Sequence, residues 1–291
     1  MTRAPTDRAL ERAARAALAE DRFHADRTTR ALGIGQGSIR ARVIAQGPGI
    51  LSGMRAARAV ARSAGLSVHR ALPDGVPVRR GTTVVEIHGD PARVLSAERT
   101  ILNYLMHLSG VASATSRAVA AVRGSRPPLE IRATRKTLPG LRDLEKAAVV
   151  HGGGHPHRRD LSDAVLVKGN HIALLGASRA LARLRTVARS ARSVEVEVRT
   201  GAEAVRAAKA GVRAILIDNA SPARARGIVR DLEAHGVRRG LFIELSGGIT
   251  PRSARRYRRV GANALSLGAL THSAPALPFH LVVVAHGRRA A

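Results

Sequence analysis

Residues 134–171 concentrate the residue types that bind anions; they read TRKTLPGLRDLEKAAVVHGGGHPHRRDLSDAVLVKGNH. The chain has 49 lysines and arginines, but only four are lysines, and three of those lie here: Lys136, Lys146 and Lys168. Because arginine is the common cation of this chain, a retained lysine indicates a position that needs a compact ammonium group instead of a planar guanidinium. Four of the 12 histidines and a triple glycine lie in the same segment. We therefore predict a pocket for an anionic substrate, with a solvated basic loop as the alternative.

A repeating pattern of strands and helices positions these residues. Strand-like segments occur at residues 129–133, 164–168, 194–198, 214–218, 241–245 and 264–267. Amphipathic helical patterns separate the later ones, at residues 178–192, 202–210, 222–235 and 251–260. Such alternation predicts βα units and a parallel sheet. Since no Gly-x-Gly-x-x-Gly opening is present, an α/β barrel is favoured over a doubly wound sheet.

The first third of the chain has a mixed α+β pattern. Helices are expected at residues 8–20 and 54–64, and strands at 38–45 and 83–88. A long helix from Pro91 is expected to break at Ser109-Gly110, with a second helix ending near Val122. This break sets the predicted domains: an N-terminal domain over residues 1–112 and a barrel domain over residues 113–274. A strand in the tail, residues 275–291, is expected to return to the N-terminal domain.

Candidate catalytic and binding residues lie where the predicted strands end. In strand order they are Arg135 and Lys136, Lys168, Glu197, Asp218, Ser246 with Gly247 and Gly248, and Gly268. Parallel barrels build their active sites at the C-terminal ends of their strands, so these residues are predicted to meet. The structural alternatives are ion pairing for the two acids and turn geometry for the glycines.

The predicted pocket has a positive half and a phosphate-binding half. Its cations for substrate carboxylates are Arg135, Lys136, His157, Arg158 and Lys168. The glycine turns are expected to lead into helices, so that their backbone N–H groups bind a phosphate. Glu197 and Asp218 are candidate ligands for Mg²⁺ or for ribose hydroxyls. No Ser-His-Asp or Cys-His set is evident, which predicts chemistry by charge stabilisation and positioning.

Composition excludes several classes of function. The 291-residue chain has no cysteine, so it has no thiol nucleophile and no thiolate metal site. Its N-terminus lacks the apolar core of a signal peptide, and no apolar run approaches the roughly 20 residues that span a bilayer; we expect a cytoplasmic protein without membrane contact. A net charge of +28 suggests nucleic-acid binding. However, the arginines are spread along the chain and aromatic residues make up 2%, so no specific nucleic-acid partner is expected.

These segments together resemble the nicotinate-nucleotide pyrophosphorylase family, also called quinolinate phosphoribosyltransferase (decarboxylating). The matching stretches are LAEDRFHADRTTRAL, AERTILNYLMHLSGVAS, TRKTLPGLRDLEKAAVVHGGGHPHR, LSDAVLVKGNHI, VEVEV, ILIDNAS, IELSGGIT and LSLGALTHSAPAL. The resemblance implies an N-terminal α/β sandwich domain and an incomplete (open), TIM-like α/β barrel. It also implies a homodimer, or a higher oligomer, whose active site is completed by the neighbouring subunit.

The resemblance implies a glycosyltransferase reaction in NAD biosynthesis. Quinolinate and phosphoribosyl pyrophosphate would give nicotinate mononucleotide, pyrophosphate and CO₂, with Mg²⁺ as cofactor. The implied catalytic residues are Lys136, Lys168, Glu197 and Asp218. Quinolinate would bind Arg135, His157, Arg158 and Lys168, and Lys136 would lie near phosphoribosyl pyrophosphate. Ser246, Gly247 and Gly248 with Gly268 would hold the 5′-phosphate, the two acids would lie near ribose and Mg²⁺, and Arg99 would come from the partner chain.

The chain departs from the family pattern at several positions. Ala133 and Gly169 stand where the family commonly has aspartate, and Pro156 stands where it often has Asn or Ser. Residues 22–25 replace an expected Gly-rich turn before Asp26.

Three alternatives therefore stay open. The first is a paralogue that uses another aromatic carboxylate in specialised metabolism, or a relative of the family's molybdenum-transport-associated branch. The second is a metal site made by His151, His155 and His157. The third is a catalytically inactive, basic nucleic-acid-binding protein.

Overall fold

The structure is a computed structural model that describes residues 5–190 and 193–286. In chain order its helices and strands are α1 (Asp7–Glu20), α2 (Arg27–Ala31), β1 (Ile39–Ala45), β2 (Gly49–Ile50), α3 (Met54–Ser63), β3 (Ser67–Ala71), β4 (Pro77–Val78), β5 (Thr83–Gly89), α4 (Pro91–Val122), β6 (Glu130–Arg132), α5 (Arg142–His151), β7 (Val165–Val167), α6 (Gly169–Leu175), α7 (Ala177–Ser190), β8 (Val194–Val198), α8 (Gly201–Lys209), β9 (Ala214–Asp218), α9 (Pro222–Ala234), β10 (Phe242–Ser246), β11 (Ala264–Ser266), α10 (Ala269–His272) and β12 (Phe279–His286).

The chain divides into two compact units. The first contains the residues up to Ser116, Asp143–Gly152 and the residues from Ala274 onward, and the second contains Arg117–Arg142 and Gly153–Ser273. The predicted boundary at residue 112 therefore lies inside the first unit. Helix α5, which the sequence pattern did not predict, belongs to the first unit although its neighbours in sequence belong to the second.

A four-stranded antiparallel sheet in the order β12-β1-β5-β3 forms the centre of the first unit. Strand β1 alternates as its sequence IRARVIA predicts, with Ile39, Ala41, Val43 and Ala45 buried. These side chains join one apolar core with those of α1 and α3. The strand expected in the tail is β12, which pairs with β1 and so lies in this sheet.

The predicted helix break at Ser109-Gly110 is wrong, because α4 runs without interruption from Pro91 to Val122. Ser109 is fully buried, and its hydroxyl accepts from the Ser52 N–H at 2.9 Å and donates to the Ser52 carbonyl at 3.0 Å. A Cβ atom at Gly110 would lie 2.4 Å from the carbonyl oxygen of Pro275. The two small residues therefore serve close packing and do not end the helix. Among the described residues, no helix is long and apolar enough to cross a membrane.

The second unit contains a six-stranded, all-parallel sheet in the order β6-β11-β10-β9-β8-β7. A parallel bridge between Arg132 and His155 extends it beyond β6. Within the described residues nothing pairs that segment with β7, so the barrel is incomplete, as expected. The predicted helix at residues 251–260 is wrong: this stretch holds a short 3₁₀ turn, Ala254–Tyr257.

Arg22 has a left-handed backbone, with φ 47° and ψ 47°. It begins the segment that replaces the expected Gly-rich turn. Since this conformation costs a non-glycine residue roughly 1–2 kcal/mol, we expect Arg22→Gly to raise the free energy of unfolding by about 1 kcal/mol. The matched control is Arg12→Gly within α1, which should lower it by about 1 kcal/mol. Urea titrations measure both, and a loss of stability in both variants would contradict the prediction.

Candidate active site

A cavity of about 730 Å³ opens at the C-terminal ends of the parallel strands of the second unit. It brings together eleven predicted site residues: Arg135, Lys136, His157, Arg158, Lys168, Glu197, Asp218, Ser246, Gly247, Gly248 and Gly268. Arg99 is not among the lining residues; it is exposed on α4, in the first unit. The size of the cavity suits a small-molecule substrate.

The positive half of the cavity contains two neighbouring guanidinium groups. Burial, followed by the charge of Arg135, lowers the pKa of Arg158. Arg158 Nη1 donates to the Ala164 carbonyl at 3.2 Å. The buried Nε of Arg135 has no hydrogen-bond partner among the described residues. Two repelling cations with an unused donor favour a ligand that carries more than one negative charge.

His157 has a left-handed backbone, φ 52°, which turns its ring toward two acids. Its Nε2 lies 3.1 Å from Glu244 Oε1 and 3.6 Å from Glu195 Oε2. Burial alone lowers the pKa of His157, but hydrogen bonds with the two carboxylates raise it to about 9. Nε2 is the ring nitrogen that faces Glu244, and Nδ1 lies 2.6 Å from the backbone nitrogen of Arg158.

Glu244 is fully buried on β10 and has three partners. Arg132 Nη1 donates to it at 3.0 Å, His157 faces its other oxygen, and the Ser266 hydroxyl donates to it. Burial favours the neutral acid, but these contacts hold the pKa of Glu244 below its usual range. Arg132 also pairs with Glu130 at 2.9 Å, so carboxylates and cations alternate beside the cavity. We call Arg132, His157, Glu195, Glu244 and Ser266 the charge network.

The sequence interpretation missed Glu195 and Glu244. The available signal was an acid inside an apolar strand, in VEVEV and in FIELS. Residues two apart share a face of a strand, so Glu195 lies on the same face as the predicted Glu197. A buried acid needs charged or hydrogen-bonding partners, and this need would have indicated the network.

Three members of the charge network could also bind a metal ion. Ligand atoms of His157, Glu195 and Glu244 lie within 4.8 Å of one another, and no other such group occurs among the described residues. The guanidinium of Arg132 already contacts Glu244 and would repel a divalent cation there. We therefore assign the group to charge balance. The predicted set of His151, His155 and His157 is not formed; His151 Nδ1 instead lies 2.9 Å from the Ser52 hydroxyl.

Asp218 is held at the end of β9 by two neighbours. The Ser246 hydroxyl donates to its Oδ1 at 3.1 Å, and Asn219 Nδ2 donates to its Oδ2 at 3.0 Å. Asn219 has φ 50° and Gly247 has φ 90°. A Cβ at Gly247 would lie 2.1 Å from Asn219 Oδ1, so only glycine fits this crossing of two strand ends. Glu197 lines the same cavity from the adjacent strand β8.

Gly268 makes room for two side chains at the mouth of the cavity. A Cβ there would lie 2.9 Å from Lys136 Cδ and 3.0 Å from His272 Nε2. The Thr271 hydroxyl donates to the Lys136 carbonyl at 2.6 Å, which fixes the loop that carries this lysine. His272 is a lining residue that the sequence interpretation missed, although it follows a strand end as the others do.

The glycine turns do not lead into long helices, which corrects the prediction. Ser246-Gly247-Gly248 leads to the 3₁₀ turn, and Gly268 leads to the four-residue helix α10. Any phosphate would therefore be bound by loop N–H groups, not by a long helix dipole.

The two departures at usual aspartate positions have different surroundings. Ala133 is fully buried, and its backbone N–H donates to the His155 carbonyl at 2.8 Å. Gly169 begins α6, and a Cβ there would lie 3.6 Å from Glu197 Oε1, an ordinary contact distance. An aspartate at 169 would therefore place a second carboxylate beside Glu197.

The fold and the cavity define a class: an incomplete α/β barrel with a cavity lined by cations and glycine turns at its strand ends. Two family models match the chain, "Quinolinate phosphoribosyl transferase, N-terminal domain" over residues 26–109 and "Quinolinate phosphoribosyl transferase, C-terminal domain" over residues 111–282. The chain belongs to the quinolinate phosphoribosyl transferase family.

Individual relatives support the same family assignment. The chain is 37% identical over 247 residues to a probable nicotinate-nucleotide pyrophosphorylase (carboxylating) of Archaeoglobus fulgidus, covering 84% of this chain and 95% of the relative. It is 38% identical over 259 residues to the human nicotinate-nucleotide pyrophosphorylase (carboxylating), covering 88% and 86%. The solved nicotinate-nucleotide pyrophosphorylase of Francisella tularensis has a TM-score of 0.85 at 30% identity, covering 98% and 100%. That of Ehrlichia chaffeensis has a TM-score of 0.85 at 28% identity, covering 94% and 98%.

The close contact between Gly247 and Asn219 can be tested by comparing substitutions at Gly247 and Gly248. Gly248 also has a positive φ, 62°, but a Cβ there would meet nothing within 4 Å. We expect Gly248→Ala to lower the free energy of unfolding by about 1–2 kcal/mol through its backbone alone. Gly247→Ala should cost about 1–3 kcal/mol more, because Asn219 must move. Equal losses in urea titrations would contradict this account.

The charge network predicts a pH dependence of stability. The folded pKa of His157 is raised to about 9 from 6.5, so the stability that it contributes is fully present below pH 6.5 and is lost as pH rises through about 9. The difference in unfolding free energy between the parent protein and His157→Gln should therefore shrink across that window. His155→Gln, at an exposed ring without an acidic partner in the described part of the chain, is the control. A constant difference for His157→Gln would argue against a charged ring.

Proposed function

We propose that this chain performs the reaction named for its relatives: it converts quinolinate and phosphoribosyl pyrophosphate to nicotinate mononucleotide, pyrophosphate and CO₂, a step of NAD biosynthesis. The observation that carries the proposal is a single cavity whose lining combines guanidinium groups with a glycine turn and two acids. A dicarboxylate and a sugar phosphate need these two kinds of surface next to each other.

Quinolinate binds in the positive half. Its two carboxylates supply the negative charges that Arg135 and Arg158 lack, and the unused Nε donor of Arg135 is available to one of them. His157 adds a positive charge that the charge network maintains. Lys168, at the end of β7, contributes a point charge.

Phosphoribosyl pyrophosphate binds in the other half. The loop N–H groups of Ser246, Gly247, Gly248 and Gly268 receive the 5′-phosphate, and Lys136 lies beside the pyrophosphate. Glu197 and Asp218, half-buried at the ends of adjacent strands, offer the carboxylate oxygens that Mg²⁺ prefers together with water and phosphate oxygens. When bound, Mg²⁺ would offset the charge of the leaving pyrophosphate.

The residues act by orientation and charge. The lone pair of the pyridine nitrogen forms a bond to C1 of the ribose while the bond from C1 to the pyrophosphate oxygen breaks, through an oxocarbenium-like state. The ring nitrogen is then cationic, and its charge stabilises the electron pair left in the ring plane at C2 when the 2-carboxylate departs as CO₂. A proton replaces that carboxylate. The cations of the positive half hold the ring in line with C1 throughout.

A second candidate acceptor is a different aromatic carboxylate. Gly169 favours it, because the space beside Glu197 that the family commonly fills with aspartate is open here. The chemistry and the phosphoribosyl donor would be the same, and only the acceptor would differ.

A turnover assay tests the proposal. With quinolinate, phosphoribosyl pyrophosphate and Mg²⁺, we expect nicotinate mononucleotide and CO₂ in equal amounts. Arg135→Ala and Lys168→Ala should each lower kcat/KM by about 100-fold or more, since each removes a charge that orients the reacting ring. Arg183→Ala, at an exposed position of α7, should leave it unchanged. Binding of phosphoribosyl pyrophosphate without turnover of quinolinate would reject quinolinate and favour the second acceptor.

We further propose a homodimer, or a higher oligomer, in which Arg99 of one subunit completes the site of another. Arg99→Ala and Lys168→Ala should then each be inactive alone. A mixture that has exchanged subunits should regain up to about a quarter of the parent activity, because some dimers contain one site with both native residues. Exchange demonstrated by mass spectrometry without any recovery would exclude a shared site.

A further inference from the structure

A second cavity of the second unit, about 810 Å³ in volume, is lined mainly by arginine. Its seven arginines are Arg126, Arg226, Arg230, Arg255, Arg256, Arg258 and Arg259. Glu233 is the one acidic residue that lines it among the described residues. It shares no residue with the cavity at the strand ends.

Three separate segments supply these arginines. Arg126 lies between α4 and β6, and Arg226 and Arg230 lie one helical turn apart on α9. The other four lie in or beside the 3₁₀ turn Ala254–Tyr257. The hydroxyl of the largely buried Tyr257 donates to the Ala220 carbonyl at 3.2 Å and fixes that turn. All three segments precede a parallel strand, so the cavity lies toward the N-terminal ends of the strands.

In the sequence the arginines are spread along the whole chain, but the fold brings seven of them to one cavity. None of the seven guanidinium groups has an ion pair or a side-chain hydrogen bond within the part of the chain that the structure describes. Like charges around one concavity repel each other and raise the local concentration of anions. The free donors are arranged around a space that an anion can enter.

The lining also indicates the kind of anion. Its apolar side chains are Val229 and Val260, and among the described residues no aromatic side chain lines it to stack on a base or a ring. Guanidinium forks match phosphate oxygens in pairs. We propose that this cavity binds a small anion that carries several phosphate groups, either free oligophosphate or the phosphate chain of a nucleotide, at a site separate from the strand-end cavity.

Calorimetric titration of the full chain with sodium tripolyphosphate tests this. The parent protein should show a class of sites that Arg226→Ala/Arg230→Ala weakens by about tenfold or more, since each lost charged hydrogen bond contributes about that factor. Arg255→Ala/Arg256→Ala provides a second variant should the first fold poorly, as judged by its melting temperature. Arg183→Ala/Arg185→Ala removes the same charge from exposed positions of α7 and should leave this class intact.

Three further titrations decide where the anion binds and which kind of anion it is. Arg135→Ala/Lys168→Ala should leave the class in place, because these residues belong to the other cavity. Adenosine triphosphate that binds as tightly as tripolyphosphate supports recognition of the phosphate chain alone, and tighter binding supports a nucleotide as the source. Equal weakening by the α7 control would overturn the proposal. So would cavity-dependent binding of a single-stranded oligonucleotide when tripolyphosphate does not bind.

Discussion

A carboxylate buried beyond the reach of solvent, that of Glu244, determines how the catalytic end of the second unit is arranged. A buried charge is tolerated only if it is paired, and its partners come from β6, β11 and the segment that carries His157. The sheet register sets Arg132 beside Ser266, and both beside Glu244. A slip of one residue in β6, β10 or β11 would move one partner to the opposite face. The charge network therefore specifies the strand register as well as local packing.

The same network also sets the charges at the lining of the cavity. Glu195 and Glu244 face His157, and Glu244 also faces Arg132, so their negative charges are offset in part next to the cations Arg135, Arg158 and Lys168. The left-handed backbone of His157 is the strained feature that this arrangement maintains. It orients the ring toward the acids and leaves the next residue, Arg158, facing the cavity.

Sequence periodicity was enough to predict the six strands of the parallel sheet, because alternating or continuous apolar side chains follow local burial, but it did not predict β3 of the antiparallel sheet. Strands β8 and β9 have the predicted bounds, and the polar residues at strand ends do line one cavity. Periodicity cannot report a partner distant in sequence. The pair Ser109-Gly110 predicts a helix break locally, and only the packing of Pro275 against Gly110 shows why small residues are needed there. The burial of Glu244 depends on Arg132, which is distant in sequence. The arginine-lined cavity likewise depends on three segments that are distant in sequence.

The position of Gly169 suggests how this family member differs within a common scaffold. An aspartate there would add a negative charge beside Glu197 and so compete for the cations that receive substrate carboxylates. Without it, the cavity attracts anionic substrates more strongly in the ground state. Only interactions that strengthen in the transition state raise kcat, so a uniform gain in attraction lowers KM and leaves kcat unchanged. Gly169 would therefore affect substrate affinity, while the charge network and the contact of Gly247 with Asn219 fix the geometry of the strand ends.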